Sequence, residues 1–140
     1  MKSIRATRQV FVDTGAFVAL ALDRDERSGR AREIARQLTR ERYDLITTNF
    51  VVAEVHAFVL ARAGRNIALR TLREIELPGR TIIRVNQGHE VRAREILTQY
   101  HDKDFTLVNA LSFAVMERLG LGVAFAFDHH FQQFGFQLAT

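Results

Sequence analysis

Residues 10–20 read VFVDTGAFVAL, and the fold turns on how this run divides at Asp13. Upstream, Gln9–Asp13 reads QVFVD, three consecutive apolar residues closed by an acid, the pattern of a short buried strand. Downstream, the segment AFVALALDRDE holds Ala, Leu and charged residues without a proline or glycine, so the chain turns helical after the aspartate. A carboxylate is thereby expected at the carboxyl end of a strand.

Further along, the hydrophobic period switches between helix and strand. Ser28–Tyr43 places Ala31, Ile34, Ala35 and Leu38 on one helical face, and Leu45–Thr47 fits a second strand. Phe50–Ala63 is apolar nearly all round, a buried helix closed by Gly64. Asn66 reads as the N-cap of a helix reaching Leu77 and stopped by Pro78-Gly79. Thr81–Val85 is strand-like, and Asn86 is placed to cap a helix through Tyr100 with Val91, Ile96 and Leu97 inward. Thr106–Leu119 predicts another buried helix closed by Gly120, followed by a strand over Gly122–Phe127. His129–Phe134 reads as a short helix and Phe136–Ala139 as an edge strand. Strands alternating with helices predict an α/β fold: one domain over residues 1–140, with a mostly parallel sheet and helices on both faces. The triplet Asp13-Thr14-Gly15 also occurs in aspartic proteases, but those are all-β proteins, and a chain this helical does not fit them.

The bulk properties agree with one globular domain. The 140 residues are 47% hydrophobic and 26% charged, one proline and eight glycines punctuate them, and no linker or repeat is visible. No apolar run approaches the roughly 20 residues that cross a bilayer. The start, MKSIRATRQVFVD, lacks a signal-peptide pattern, and the absence of cysteine excludes disulfides and thiolate metal sites. Both point to a cytoplasmic protein. The net charge is +4, and every cation but Lys2 and Lys103 is arginine, the side chain that forks onto phosphate. These arginines are spread over several helices, so genome composition explains them equally well.

Open parallel sheets bind ligands at the carboxyl ends of their strands. Asp13 ends the first strand and Asp128 the fourth. Glu54 lies one turn into the helix after the second, and Asp104 and Asn109 bracket the start of the helix leading to the fourth. Four distant segments thus send oxygen-bearing side chains to one rim. Crowded carboxylates need a cation, and an oxygen-only set favours Mg²⁺ or Mn²⁺. Such ions, in pairs about 3.5–4 Å apart, serve phosphodiester cleavage. Each residue also has a structural role open to it. Asp13 and Asp128 could cap helices, Asp104 could initiate one, and Glu54, among the apolar neighbours of VVAEVHAF, could be buried and paired with arginine. His129-His130 reads as a surface pair, with His130 the one placed to orient a phosphate. Phe113, Phe125, Phe127 and Phe131 stand at core spacing.

Four pieces, VDTGAFVAL, TTNFVVAEV, DKDFTLVNALSFAVMERLG and AFAFDHHFQQFGF, together resemble the PIN-domain ribonucleases of the VapC-type toxin sort across nearly the whole chain. The resemblance implies a three-layer α/β/α fold and Mg²⁺- or Mn²⁺-dependent RNA cleavage. It also implies homodimers and, in toxin–antitoxin members, neutralisation by an antitoxin. Carried over, Asp13, Glu54 and Asp128 match the first, second and last acids, and Thr14 with Thr48 or Asn49 match polar positions nearby. The third acid of the family falls in a Leu-Thr-Asp-Ala-like motif, and Leu107-Val108-Asn109-Ala110 stands there instead. Asn109 keeps a carbonyl oxygen but removes a negative charge. Three readings stay open: a deliberate change that disarms a toxic enzyme, a natural site in which Asp104 supplies the missing carboxylate, or a member that binds RNA or a partner without cutting. A receiver-type phosphoacceptor domain wants a late lysine at a strand end, which this chain lacks.

Overall fold

A computed structural model describes residues 8–140; residues 1–7, which hold most of the basic start considered above, lie outside the described residues. Five strands are formed among the described residues: β1 (Arg8–Val12), β2 (Tyr43–Thr48), β3 (Arg80–Ile83), β4 (Val123–Phe125) and β5 (Gln137–Leu138). All pair in parallel in the order β3-β2-β1-β4-β5. The helices are α1 (Thr14–Ala21), α2 (Ser28–Arg40), α3 (Asn49–Ala63), α4 (Arg65–Ile75), α5 (Gln87–Gln99), α6 (Leu107–Leu119) and α7 (His130–Phe134). Contacts run α2–α1–α3–α4 in one group and α5–α6–α7 in another, giving a three-layer α/β/α fold.

The central strand is the one the opening sequence stretch encodes. Val10, Phe11 and Val12 are wholly buried because β1 has a strand on either side and helices above and below. In register, Phe11 lies opposite both Ile46 and Ala124, and Val12 opposite Phe125. An aromatic cluster fills the core at the β4–β5 end. Phe113 stacks on Phe134 at 4.7 Å and meets Phe105 and Phe131 edge-on, each at 5.0 Å.

Several boundaries differ from the sequence expectation for local reasons. The helix expected over Ser28–Tyr43 ends at Arg40, because Arg42 takes a left-handed φ of +59° and Tyr43 pairs with Arg8 in the sheet. Asn66 does not cap α4. Gly64, with a φ of +87° that favours glycine, ends α3 and starts α4 in one residue. That helix stops at Ile75, before Leu77. Val91 is 53% exposed and faces away from the core, whereas Ile96 is fully buried. The strand expected over Gly122–Phe127 leaves the sheet after Phe125, which frees Phe127 and Asp128 to turn into the loop above β4.

Candidate active site

The chain builds β1, β2 and β3 outward in one direction, then crosses back to lay β4 and β5 on the other side of β1. The switch therefore falls between β1 and β4, the position where open α/β sheets leave a crevice at their carboxyl ends. Asp13 follows β1 and Asp128 follows β4, so the two acids flank that crevice. The cleft above it is lined by Asp13, Thr14, Glu54, Asn109, Asp128 and His130, with Gly15, Val18, Arg27, Phe58, Thr106 and Phe127 completing the wall.

Asp13 is 5% exposed and occupies the N-cap position of α1, yet its side chain makes no cap hydrogen bond. The purely structural capping role open to it in the sequence is thus not what it does. Burial pushes its carboxyl up to about 7, and the nearby charges of Asp128 and Glu54 push the same way; a hydrogen bond from the Thr14 backbone opposes them.

Glu54 is held differently from the sequence expectation. It lies on the exposed side of α3, not buried among apolar groups, and its partner is not an arginine. The Thr14 hydroxyl donates to its Oε1 at 2.6 Å, so the first residue of α1 fixes the acid of α3. Of the other polar positions, Thr48 caps α3 by accepting from the Val51 amide, and Asn49 accepts from the Val85 amide at 2.9 Å. Both brace the ends of β2 and β3 rather than line the cleft.

Asp128 lies one residue before the N-cap His129 of α7 and is tied to that helix through His130. Its Oδ1 accepts the His130 amide at 2.9 Å, which steadies the start of α7, and the His130 ring Nδ1 lies 2.9 and 3.1 Å from its two oxygens. His130 is not half of a surface pair. Its side chain is 18% exposed and sits edge-on to Phe105 at 5.5 Å, whereas His129 is 72% exposed. The aromatic core thereby orients the imidazole that orients the acid.

Asn109 is 6% exposed and closes a reciprocal cap at the start of α6. Its backbone amide donates to Thr106 Oγ1 at 3.0 Å, and the Thr106 amide donates to its Oδ1 at 3.1 Å. A backbone N–H requires an oxygen there, which fixes the orientation of the side-chain amide. The carbonyl oxygen is engaged by the cap, and the remaining end is an NH₂ donor. That single cap bond uses one of the two lone pairs of the oxygen. Asp104 is exposed on the loop before α6 and does not line the cleft. The cap falls on Thr106, which leaves Asp104 two residues outside the helix.

Among the described residues, no three His, Asp or Glu side chains form a ready-made cage for an ion. Hard ions of the Mg²⁺ kind bind through one or two carboxylates and complete their shell with water, so they do not need one. Asp13, buried and in the field of Asp128 and Glu54, shares the cleft with those two carboxylates, and three such oxygen donors suit an ion of this kind. The wall residues Arg27, Thr106 and Phe58 carried no sequence signal of their own, apart from the Thr-x-x-Asn spacing that a cap would suggest.

A model of the PIN domain matches residues 10–137. The 23S rRNA-specific endonuclease VapC20 of Mycobacterium tuberculosis, in strains H37Rv and CDC 1551, is 32% identical over 130 residues, which cover 91% of this chain and 95% of that protein. The crystal structure of VapC20, described as a sarcin–ricin loop cleaving toxin, superposes with a TM-score of 0.82 at 29% identity over 91% of this chain and 95% of that one. FitAcB of Neisseria gonorrhoeae shares the fold, with a TM-score of 0.68 at 16% identity over 94% and 96% of the two chains. With a family match spanning almost its full length, and an acid-lined crevice at the switch point of an all-parallel sheet, this chain belongs to the PIN domain family.

Proposed function

We propose that this chain is a divalent-metal-dependent endoribonuclease, the toxin of a toxin–antitoxin pair, hydrolysing RNA phosphodiester bonds in the cleft above β1 and β4. One observation carries the reading. A buried aspartate with no capping role stands at the switch point, and two acids from distant elements each face it with a dedicated orienting donor, Thr14 for Glu54 and His130 for Asp128. Asp13, Glu54 and Asp128 would hold Mg²⁺ or Mn²⁺. Such an ion, when bound, would supply water activation and charge neutralisation at the phosphate.

The protein's own residues do the rest. Thr14 and His130 hold two carboxylates in place before any ion arrives, which lowers the ordering cost of binding. The Asn109 NH₂ is a donor suited to a phosphate oxygen and not to a cation. Because VapC20 is named for cleaving 23S rRNA and its sarcin–ricin loop, an RNA hairpin carrying that loop is the substrate to try. For partners, we propose an antitoxin protein and a second copy of the chain. Phe50, Phe58 and Leu60 on α3 are 37–44% exposed, apolar surface that a protein partner would cover.

Purified protein should cleave the hairpin with Mn²⁺ or Mg²⁺ and stop on adding EDTA. Asp13→Asn should lower the rate by more than about a hundredfold, since even an outer-shell group costs about 10–100-fold. Cleavage that persists undiminished in folded Asp13→Asn protein would refute the assignment. A second reading, a PIN module that binds without cutting, draws on Asn109 alone. It requires Mn²⁺ binding without RNA cleavage.

A further inference from the structure

We infer that Arg27 is the substrate-binding residue of this cleft, gripping a phosphate of the RNA backbone beside the three acids; the inference rests on the ribonuclease reading above. A polyanion entering this crevice meets Asp13, Glu54 and Asp128, and Arg27 is the one Arg or Lys among the described residues that line it. Its guanidinium is held in place before any ligand arrives. Nε lies 3.2 Å and Nη2 3.4 Å from the two oxygens of Asp25, whose carboxylate also accepts the Arg27 amide at 2.8 Å. On another side the guanidinium carbon sits 5.1 Å from the centre of the Phe127 ring.

Nη1 takes part in neither Asp25 bond. It leans over Gly15 in the first turn of α1, two residues from Asp13, where an added Cβ would stand 3.5 Å away. The side chain is 41% exposed and forms part of the cleft wall. A long, flexible arginine normally loses rotamer entropy when a ligand fixes it. Here Asp25 and Phe127 have already fixed it, and Phe127 comes from the loop that carries Asp128. Loop stapling by the Asp25–Arg27 pair would explain the Nε and Nη2 contacts but not the aim of Nη1 into an acid-lined cleft.

The test is steady-state cleavage of the sarcin–ricin loop hairpin by the full chain with Mn²⁺, over a series of salt concentrations. Arg27→Ala should lower kcat/KM about tenfold or more, and the plot of log kcat/KM against log salt should become shallower by about one, as for one lost phosphate contact. Arg27→Lys keeps the charge, so it should keep the wild-type slope while losing part of the rate with the fork. Arg36→Ala, removing an exposed charge of α2 outside the cleft, should change neither. Folded Arg27→Ala protein that matches Arg36→Ala in rate and slope overturns the inference. So do Arg27→Ala and Arg27→Lys variants that are both slower at an unchanged slope, since that is the mark of a loop staple. Wild-type protein that binds Mn²⁺ yet cuts no RNA removes the ribonuclease reading and this one with it.

Discussion

Asn109 shows how one planar amide can serve folding and chemistry from opposite ends. Its Oδ1 closes the first turn of α6, its NH₂ end is left outside that cap, and the residue lines the acidic cleft. An aspartate would fill the same cap with one oxygen and place the other, with its negative charge, where the NH₂ now is. Asn109→Asp should therefore tighten Mn²⁺ binding about tenfold or more, the effect of roughly 1.4 kcal/mol of added attraction. RNA cleavage should rise with it. Calorimetric titration of both proteins checks the first and hairpin cleavage the second; identical affinities in folded protein would show that position 109 does not face the ion. The motif match made Asn109 visible in the sequence. Which end of its amide is free depends on the Thr106 amide, and that became legible only once the helix start was located.

At the scale of the element, α5 and α6 begin with the same device. Each uses a reciprocal cap whose third helical residue accepts the N-cap amide through a side chain that is neither Glu nor Gln: His89 in α5 and Asn109 in α6. The Asn86 amide donates to His89 Nδ1 at 3.1 Å, which requires a neutral ring, and the His89 amide donates back to Asn86 Oδ1 at 3.0 Å. Burial first, and then the charge of Arg118, holds the His89 pKa below its usual 6.5. The unfolded chain thus binds a proton more readily than the folded one in the window below 6.5, so this cap's stability is lost as pH falls through that window. His89→Ala should cost about 0.5–2 kcal/mol at pH 8 and less at pH 5, read from urea unfolding at each pH. The cap at Asn86 was legible because Asn before an apolar-periodic run is a local signal. The start of α4 was not. There a left-handed glycine joint replaces a side-chain cap, and no pattern in Arg65-Asn66 says so.

Across the whole molecule, the buried Asp13 ties stability to pH and to metal. A carboxyl whose pKa rises from 3.8 to about 7 on folding holds its proton in the folded state while the unfolded state releases it. Folding stability without metal should fall as pH rises through that window, by up to about 4 kcal/mol from this group. Asp13→Asn should raise the metal-free Tm more at pH 8 than at pH 5. Mn²⁺ should raise the Tm of wild-type protein at pH 8 and leave that of Asp13→Asn nearly unmoved. An equal gain from the substitution at both pH values would mean that Asp13 does not carry this proton. The effect exists because the fold buries Asp13 at the end of its central strand and sets the charges of Asp128 and Glu54 near it, which outweighs the hydrogen bond from the Thr14 backbone.

The amino-acid sequence alone determined the alternation of strands and helices, the acids that follow β1 and β4, and the family, because period, punctuation and short motifs are local in the chain. Tertiary structure decided the rest. The order β3-β2-β1-β4-β5 put the crevice between β1 and β4. Partners 40 residues apart for Glu54 and Thr14, and an unsignalled arginine in the cleft wall, followed from packing. Thr106 rather than Asp104 took the cap of α6, which leaves Asp104 outside the cleft. The physical reason is common to all of these: a side chain's hydrogen-bond partners, burial and electrostatic neighbours belong to the packed chain, and no local pattern encodes which distant residue will arrive beside it.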